Sequence, residues 1–349
     1  MIPMPTDHPA DHPLVLDIAR LKSGYWRARA FLASPRAGLA KRMRPFRCRL
    51  ARTNTHRVFA INLNNPKLGF FANLNFCLPF LSFCEEARLK PYVTFTSPNY
   101  LDRRHGPCWF EYFFENAALA TTDLERVRSG TVKVCEVRNS QEMGLPNEFN
   151  RWYYATISLQ KANELLRKYV GLRASVTDKV EAFATQHLRG MTPIAVHFRG
   201  TDKATEAPRV AWDYCRSTVA NYLAQHPEVD CVFVASDERA FVDFLASSLP
   251  QVQVCHHVDH HVSVDGRPLH LSLDSSENYF RGEDALINCL LMSRCTALIK
   301  SSSLLSAWAC VFNPRLPVVL LNRPHKDEDL WFPETELARC SLDQYLPST

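Results

Sequence analysis

Short apolar runs alternate with longer amphipathic stretches over the second half of the chain. The runs are rich in valine, isoleucine and leucine and end at polar or turn residues, which is typical of buried strands. The stretches between them have the length and apolar spacing of helices. Strands and helices alternating in this way predict a parallel sheet with crossover helices. The predicted strands are 194–197, 231–235, 252–255, 297–300 and 318–321, and the predicted helices are 213–224, 239–248, 284–294 and 303–312.

The first half has a related but less regular pattern. Strands are predicted at 58–63, 91–96 and 132–137, and helices at 71–89, 159–169 and 176–188. A turn at 64–67, with Gly69 close behind it, joins the first strand to its helix. The aromatic segment 108–114 is expected in the core or in the wall of a cleft. The predicted fold class is therefore α/β, with two Rossmann-like domains facing a cleft. The expected division is a tail and basic arm over 1–52, an N-terminal domain over 53–190 and a C-terminal domain over 191–349.

Composition fits a globular chain of two ordinary domains. Of the 349 residues, 46% are apolar and 22% are charged, which excludes a disordered protein. No apolar run approaches the roughly 20 residues that span a bilayer, and the first twelve residues lack the features of a signal peptide. Twelve cysteines occur without a C-x-x-C pair. Most of them lie in apolar patterns, so we expect buried free thiols and a cytoplasmic location.

A basic segment precedes the predicted domains. Residues 20–52 contain eleven lysines and arginines and no aspartate or glutamate, with Trp26 and Phe31 interleaved. Such a segment is suited to peripheral contact with an anionic membrane. It is equally suited to an ordinary solvated arm that packs against the acidic remainder. Nucleic-acid binding has the least support, because no zinc-finger or RNA-recognition signature accompanies the charge.

Polar or ionisable residues follow three predicted strands of the second half. Ligands of open α/β sheets bind outside the carboxyl ends of the strands, so these clusters are candidates for one site. Arginine and lysine there suit an anion, and serines at a helix start can bind phosphate, although they can also be plain N-caps. Taken singly, each cluster could also be a solvated surface loop. The clusters are His197, Arg199, Asp202, Lys203 and Glu206 after the first strand, Asp237 and Glu238 after the second, and Ser301, Ser302 and Ser303 after the fourth.

Other ligand signals are weaker or absent. Asn73 and Asn75 fall near the start of the first helix, where they could contact an anion or serve as caps. The chain has no Walker A motif and no G-x-G-x-x-G motif, so the sequence does not support an ATPase or a dinucleotide-binding protein of the common kinds. The histidine-rich segment 256–261 could bind metal adventitiously. No D-x-D pair of the kind used by metal-dependent glycosyltransferases stands at a strand end, so we predict no metal and no cofactor.

Four motifs of the chain resemble those of a known protein family. Residues 196–207, V-H-F-R-G-T-D-K-A-T-E-A, resemble the donor-site motif of the α1,6-fucosyltransferases and of the clan that includes the rhizobial nodulation and protein O-fucosyltransferases. That motif reads His-x-Arg-Arg-Thr-Asp-Lys, followed by Thr-Glu-Ala. Residues 233–238 are similar to the second motif, and 281–303 to the third, which is Arg-Gly, an apolar helix and a strand ending in serine or threonine. Residues 69–73 are similar to a Gly-aromatic-Gly turn of the N-terminal domain.

The resemblance implies a GT-B fold and metal-independent, inverting transfer of fucose from GDP-fucose to a glycan or lipid-linked glycan, as in polysaccharide biosynthesis. The N-terminal domain would hold the acceptor and the C-terminal domain the donor. Arg199 would support the leaving GDP and Glu206 would be the base, with Asp202, Asp237 and Glu238 as rivals. The other implied contacts are His197 and Asn288 to guanine, Lys203 to phosphate and acceptor, Ser303 with its neighbours Ser301 and Ser302 to the diphosphate, and Asp202, Gly69, Phe70 and Asn73 elsewhere at the donor site.

The chain also departs from the family pattern. Gly200 replaces the second arginine, Phe71 replaces the second glycine of the N-terminal turn, and the spacing from Lys203 to Glu206 is one residue shorter. Asn288 stands where the family usually has an aspartate, and an amide cannot pair with two guanine donors as a carboxylate does. A transferase for another nucleotide sugar, a non-catalytic binder of nucleotide sugars or glycans, and a nucleic-acid-binding protein therefore remain alternatives.

Overall fold

The computed structural model describes residues 44, 46–51, 56–145, 153–154, 156–200, 207–257, 275–325 and 331–347. Its strands are β1 (Val58–Leu63), β2 (Lys90–Phe95), β3 (Phe114–Asn116), β4 (Cys135–Val137), β5 (Val170–Leu172), β6 (Pro193–Phe198), β7 (Cys231–Ser236), β8 (Gln253–Cys255), β9 (Leu298–Lys300) and β10 (Val318–Leu320). Its helices are α1 (Phe70–Glu86), α2 (Phe110–Phe113), α3 (Thr121–Arg128), α4 (Leu159–Tyr169), α5 (Ala174–His187), α6 (Trp212–Gln225), α7 (Arg239–Ser248), α8 (Asn278–Met292), α9 (Leu304–Phe312) and α10 (Glu334–Cys340).

Two parallel sheets organise the chain, as the α/β prediction required. The first has the order β2-β1-β4 and the second the order β10-β9-β6-β7-β8, and every pair in both is parallel. In each sheet the chain first builds outward on one side of its starting strand and then returns to the other side. The order therefore reverses between β1 and β4 in the first sheet and between β6 and β9 in the second. Crevices at such reversals, beyond the carboxyl ends of the strands, are where open α/β sheets bind ligands.

The predicted elements are confirmed, with small shifts at their ends. The helix over 159–169, the helix over 239–248 and the strand over 58–63 have the bounds that were predicted. The largest shift is in α8, which begins at Asn278 rather than at residue 284. The antiparallel pair of β3 and β5 and the helices α2, α3 and α10 were not predicted, because these short elements show no clear periodicity.

One hydrophobic core runs across both halves of the chain. Helix α1 packs against α9, with the rings of Phe71 and Trp308 5.8 Å apart. Helix α8 approaches the first half so closely that a Cβ on Gly282 would lie 2.8 Å from the Phe113 ring. The C-terminal residues return to the first half, where Glu336 accepts a hydrogen bond from the backbone N–H of Leu159. The predicted domain limits at 190 and 191 stay a prediction.

Part of the predicted basic arm belongs to the folded structure. Residues 46–51 are helical, and Phe46 is buried with its ring edge-on to Phe59 and Phe83. Arg49 donates a hydrogen bond to the carbonyl of Glu136 in β4. Folded structure therefore begins before residue 53, and residues 1–43 lie outside the described ranges.

The expectation of buried free thiols is confirmed. All twelve cysteines are free, and ten of them are buried; Cys48 and Cys340 are exposed. The aromatic segment after residue 108 lies in the core, where Trp109, Phe110 and Phe113 are fully buried. Among the described helices, none combines the length and the apolar character that crossing a bilayer requires.

Candidate functional site

The crevice between β6 and β9 contains the first of the predicted site residues. The backbone N–H of Arg199 donates to the Ser301 hydroxyl at 2.9 Å, and the backbone N–H of Ser301 donates to the carbonyl of His197 at 3.0 Å. His197 is paired with Lys300 in the β6–β9 register. These bonds fix the two chain segments side by side as they leave the sheet. Arg199 and Ser301 thus lie together at the point where the strand order reverses.

His197 is a buried imidazole in a positive environment. Burial, followed by the charges of Lys300 and Arg199, holds its pKa well below the ordinary value. The ring is therefore neutral at physiological pH and offers one donor and one acceptor nitrogen. Its Nδ1 has no hydrogen-bond partner among the described residues. A buried polar atom of this kind, next to a predicted ligand site, is consistent with a group that a ligand completes.

Tyr100 connects this crevice to the first half of the molecule. Its hydroxyl oxygen accepts a hydrogen bond from the backbone N–H of Phe70, at the start of α1, with a length of 3.0 Å. Burial raises the pKa of Tyr100 to about 12, against the opposing effects of the Phe70 N–H and of the Arg199 and Arg281 charges. Both guanidinium groups therefore lie near the phenol. Tyr100 therefore links the start of α1 to the charges of Arg199, which follows β6, and Arg281 of α8.

Arg281 is the residue at this boundary that the sequence analysis did not assign to the site. It is 5% exposed, and its Nη1 donates to Asn278 Oδ1 at 3.0 Å. Asn278 in turn donates to the carbonyls of Pro98 and Leu101, which follow β2. The start of α8 is thereby tied to the first half. The signal in the sequence was the Arg-Gly pair of the third motif. Gly282 has no side chain, so α8 packs closely against the first half and Arg281 lies at this boundary.

The start of α9 is hydrogen-bonded to a carboxylate of the protein itself. The carboxylate of Glu334 accepts hydrogen bonds from the Ser303 backbone N–H at 2.6 Å and from the Ser302 hydroxyl at 2.8 Å. It also forms a 2.7 Å ion pair with Lys300, which is fully buried. The Ser302 hydroxyl and the Ser303 N–H are therefore engaged within the protein, while the Ser303 hydroxyl has no partner among the described residues. The predicted role of these serines at the donor diphosphate stays a prediction. Of the three serines, Ser301 is the one bonded to Arg199.

Two carboxylates that follow β7 lie beside Gly200. A Cβ on Gly200 would lie 1.9 Å from Glu238 Oε1, so the Glu238 carboxylate fills the space that a side chain there would take. That carboxylate accepts a hydrogen bond from Trp212 Nε1 at 3.1 Å and lies 3.7 Å from Arg209 Nη2. The neighbouring Asp237 accepts a hydrogen bond from the Gly200 backbone N–H at 3.2 Å. Both carboxylates therefore border the strand end that carries Arg199.

The predicted donor contacts of the first half are largely committed to the protein. Gly69 is the N-cap residue of α1 and is partly exposed. Phe70 is 3% exposed, and its ring packs among Tyr100, Trp109 and Phe113. The Nδ2 of Asn73 donates to the Gly69 carbonyl at 3.0 Å, and its Oδ1 has no partner among the described residues. Its predicted role at the donor site stays a prediction. Asn75 likewise donates to the carbonyl of Phe332. Of the predicted first-half contacts, Gly69 alone keeps a backbone position at the boundary.

Asn288 is also engaged within the protein. Its Nδ2 donates to the Asp284 carbonyl one turn earlier in α8, at 2.9 Å. The side chain of Asp284, by contrast, is a partly buried carboxylate whose Oδ1 lies 3.9 Å from His257 Nδ1, just after β8. The carboxylate that Asn288 lacks is thus present on the same face of the helix, four residues before it.

Some predicted residues lie outside the described ranges. These are Asp202, Lys203 and Glu206, within 201–206, and the end of the histidine segment at 258–261. Of that segment, His256 accepts a hydrogen bond from Arg239 at 3.3 Å and His257 lies beside Asp284. In the part of the chain that the structure describes, no group of three or more potential metal ligands occurs.

The chain matches no family model and no curated protein sequence. Solved structures do match it at low identity. They include NodZ α1,6-fucosyltransferase soaked with GDP-fucose, with 15% identity over 75% of this chain and 94% of that chain and a TM-score of 0.48. They also include a mutant of Arabidopsis thaliana FUT1 in complex with GDP, with 13% identity over 83% and 78% and a TM-score of 0.44. POFUT1 in its apo form matches with 12% identity over 76% and 98% and a TM-score of 0.44.

These neighbours match the fucosyltransferase clan that the sequence motifs resemble. At such identities and TM-scores the likeness carries no argument about chemistry. The two parallel sheets, each with a crevice at its strand reversal, are established by the chain's own strand order. The residues of this chain, rather than these neighbours, support the chemistry proposed for it.

Proposed function

We propose that this protein is a glycosyltransferase that transfers fucose from GDP-fucose to a hydroxyl of a glycan or lipid-linked glycan. The transfer inverts the anomeric centre, uses no metal ion and forms an α1,6 linkage. One observation supports this best: the backbone of Arg199 is fixed beside Ser301 at the strand reversal of the second sheet, where the charges of Arg199 and Arg281 both act on Tyr100. Two guanidinium groups at such a crevice suit a diphosphate, since each presents a planar fork of donors.

The chemistry follows from charge development at the leaving group. When the bond from the sugar to the diphosphate breaks, negative charge grows on the β-phosphate oxygen. Donors already held in place stabilise that charge more than water does, because they need no reorganisation. The backbone at Arg199 and Ser301 is held at the crevice by hydrogen bonds from both N–H groups, so the two side chains start from fixed positions. The neutral ring of His197 offers hydrogen bonds to the nucleotide and adds no further charge.

The acceptor hydroxyl needs a carboxylate base because its pKa is high. We propose Glu206 for this role, as the family motif implies, with Lys203 beside the phosphate and Asp202 holding the cations. Asp237 is the rival, since it borders the same strand end and receives the Gly200 N–H. The basic segment 20–52 is proposed to hold the enzyme peripherally on an anionic membrane at the cytoplasmic side, where a lipid-linked acceptor is available.

GDP is expected to stabilise the protein and UDP is not. At a ligand concentration about 100 times its Kd, binding to the folded state adds roughly 2.7 kcal/mol to the free energy of unfolding. The measurement is a thermal shift with GDP, UDP and dTDP, followed by hydrolysis assays with GDP-fucose, GDP-mannose, UDP-sugars and dTDP-sugars. Equal shifts with GDP and UDP would contradict the guanine assignment.

Replacing Asp284 with asparagine is the matched variant for this experiment. We propose that its carboxylate, rather than the Asn288 amide, pairs with the two N–H donors of guanine. The preference for GDP over UDP should then shrink in Asp284→Asn and persist in Asn288→Ala. The opposite pattern would restore Asn288 to the role that the motif implies.

Glu206→Gln is expected to retain GDP binding and to lose transfer by about 10²- to 10⁴-fold, the usual cost of removing a general base. The amide keeps the size of the side chain but cannot accept the proton. Single-turnover transfer and a GDP thermal shift measure the two properties separately. If Glu206→Gln transfers sugar near the wild-type rate while Asp237→Asn binds GDP and is inactive, the base is Asp237.

A further inference from the structure

The segment 207–210 lies against the carboxyl ends of the strands in the second sheet. Its two end residues are buried and the two between them are exposed. Asn322, which follows β10, holds this segment in place. Its Nδ2 donates to the Pro208 carbonyl at 2.7 Å, and its Oδ1 accepts the backbone N–H of Ser302, which follows β9, at 2.7 Å. The backbone of Arg209 therefore starts from a fixed position at the strand ends that border the crevice.

Glu238 connects Arg209 to the chain segment that carries Arg199. The Oε1 of Glu238 lies 3.7 Å from Arg209 Nη2. The same oxygen lies 1.9 Å from the position that a Cβ on Gly200 would take, and Gly200 directly follows Arg199. One carboxylate thus touches both places. The guanidinium group of Arg209 therefore lies beside the end of β6, ten residues along the chain from Arg199.

The contact with Glu238 leaves the Arg209 guanidinium able to bind a ligand. A separation of 3.7 Å is longer than a hydrogen bond, and the Arg209 side chain is 67% exposed. Ion pairs as exposed as this contribute little to stability, so exchanging the partner costs little. A phosphate can accept two parallel hydrogen bonds from one guanidinium group, which is a stronger contact. A diphosphate at the crevice can therefore take Arg209 from the carboxylate.

Glu238 keeps a partner when Arg209 turns to a ligand. Its Oε2 accepts a hydrogen bond from Trp212 Nε1 at 3.1 Å. The Trp212 ring is itself held by Phe241 and Phe244 of α7, with ring centroids 5.9 Å and 5.4 Å away. Glu238 is therefore a positioning residue that holds the Arg209 guanidinium near the strand end without a tight bond.

We propose that Arg209 is a further guanidinium contact of the donor diphosphate, at the same β-phosphate as Arg199. The identity of the donor rests on the proposed function, whereas the place of Arg209 at the crevice rests on its contacts. Residues 196–207, which resemble the family motif, end before Arg209. The assignment therefore comes from Glu238 and Asn322, which reach this segment from distant parts of the chain.

The test compares the binding of GDP and GMP by calorimetry, with the full chain. Arg209→Gln should weaken GDP binding by about 10-fold, the usual effect of losing one hydrogen bond to a charged group. GMP has no β-phosphate, so its affinity should change little and the preference for GDP over GMP should shrink. Arg216→Ala is the matched control, because Arg216 is an arginine of α6 that pairs with the exposed Asp213. It should bind both nucleotides as the wild type does.

Thermal melts should show that both variants fold as the wild type does. Unchanged GDP affinity in Arg209→Gln would overturn this inference and leave the proposed function standing. Equal losses of GDP and GMP affinity would also overturn it, since a merely structural role lowers both. Weaker GDP binding in Arg209→Gln, together with a wild type that releases no GDP from GDP-fucose, would support the inference and refute the proposed function. A wild type that does not bind GDP would refute both.

Discussion

Arg199→Ala is expected to abolish sugar transfer, with a loss of at least about 10²- to 10³-fold in kcat. A loss of that size is typical when one pre-positioned donor to a developing negative charge is removed. Arg199→Lys should recover little of it, because a single ammonium cannot reproduce the two parallel hydrogen bonds of a guanidinium group. Initial rates of release of GDP from GDP-fucose, in the presence of an acceptor, measure the effect.

The fold should survive both substitutions. The bond that joins β6 to β9 here comes from the Arg199 backbone N–H, and a side-chain change leaves that donor in place. Arg216→Ala is the control, since Arg216 lies on α6 and pairs with the exposed Asp213. It should transfer at the wild-type rate. Near-normal transfer by Arg199→Ala would show that the leaving group is stabilised elsewhere.

Glu334→Gln is expected to destabilise the protein by about 3–5 kcal/mol, the usual cost of removing one partner of a buried ion pair. The amide keeps an oxygen for the Ser303 N–H but leaves the charge of Lys300 without its counter-ion in the core. Lys300 is fully buried and 2.7 Å from the carboxylate, so solvent cannot replace the lost partner. Urea unfolding at constant pH measures the change as a shift of the midpoint.

The double variant Lys300→Met with Glu334→Gln tests the cause. Removing both charges should recover most of the loss, because no unpaired charge is then buried. The exposed pair of Arg239 and Asp243 on α7 provides the control. Arg239→Ala should cost no more than about 0.5 kcal/mol, as is usual for a solvated pair at this helical spacing. Equal destabilisation in the single and double variants would assign the effect to the serine hydrogen bonds instead.

Glu334 also lies where an anion could otherwise bind at the start of α9. Its carboxylate meets the start of α9 with the geometry of a bound anion, since it receives a backbone N–H and a hydroxyl together. The serine run therefore has a structural role at Ser302 and Ser303. In the proposed function, diphosphate binding therefore falls to the crevice at Arg199 and Ser301.

The sequence by itself determined the elements and the edge of the sheet at which the site lies. The strand over 58–63 and the helices over 159–169 and 239–248 were predicted with their observed bounds. Periodicity reports which face of a segment is buried, and that property is local. The position of Arg199 followed in the same way, because a buried run that breaks into ionisable groups marks a carboxyl end of a strand.

Tertiary structure alone decided which of the predicted groups are available. Glu334 reaches Lys300 from 34 residues away, and Asn75 meets Phe332 across 257. Asn278 at the start of α8 reaches the carbonyls of Pro98 and Leu101 because Gly282 lets two halves of the chain pack closely. The Glu238 carboxylate, which follows β7, fills the space beside Gly200, which follows β6. Each of these depends on contacts between segments distant in the chain, and the pattern of any one segment does not contain its partner.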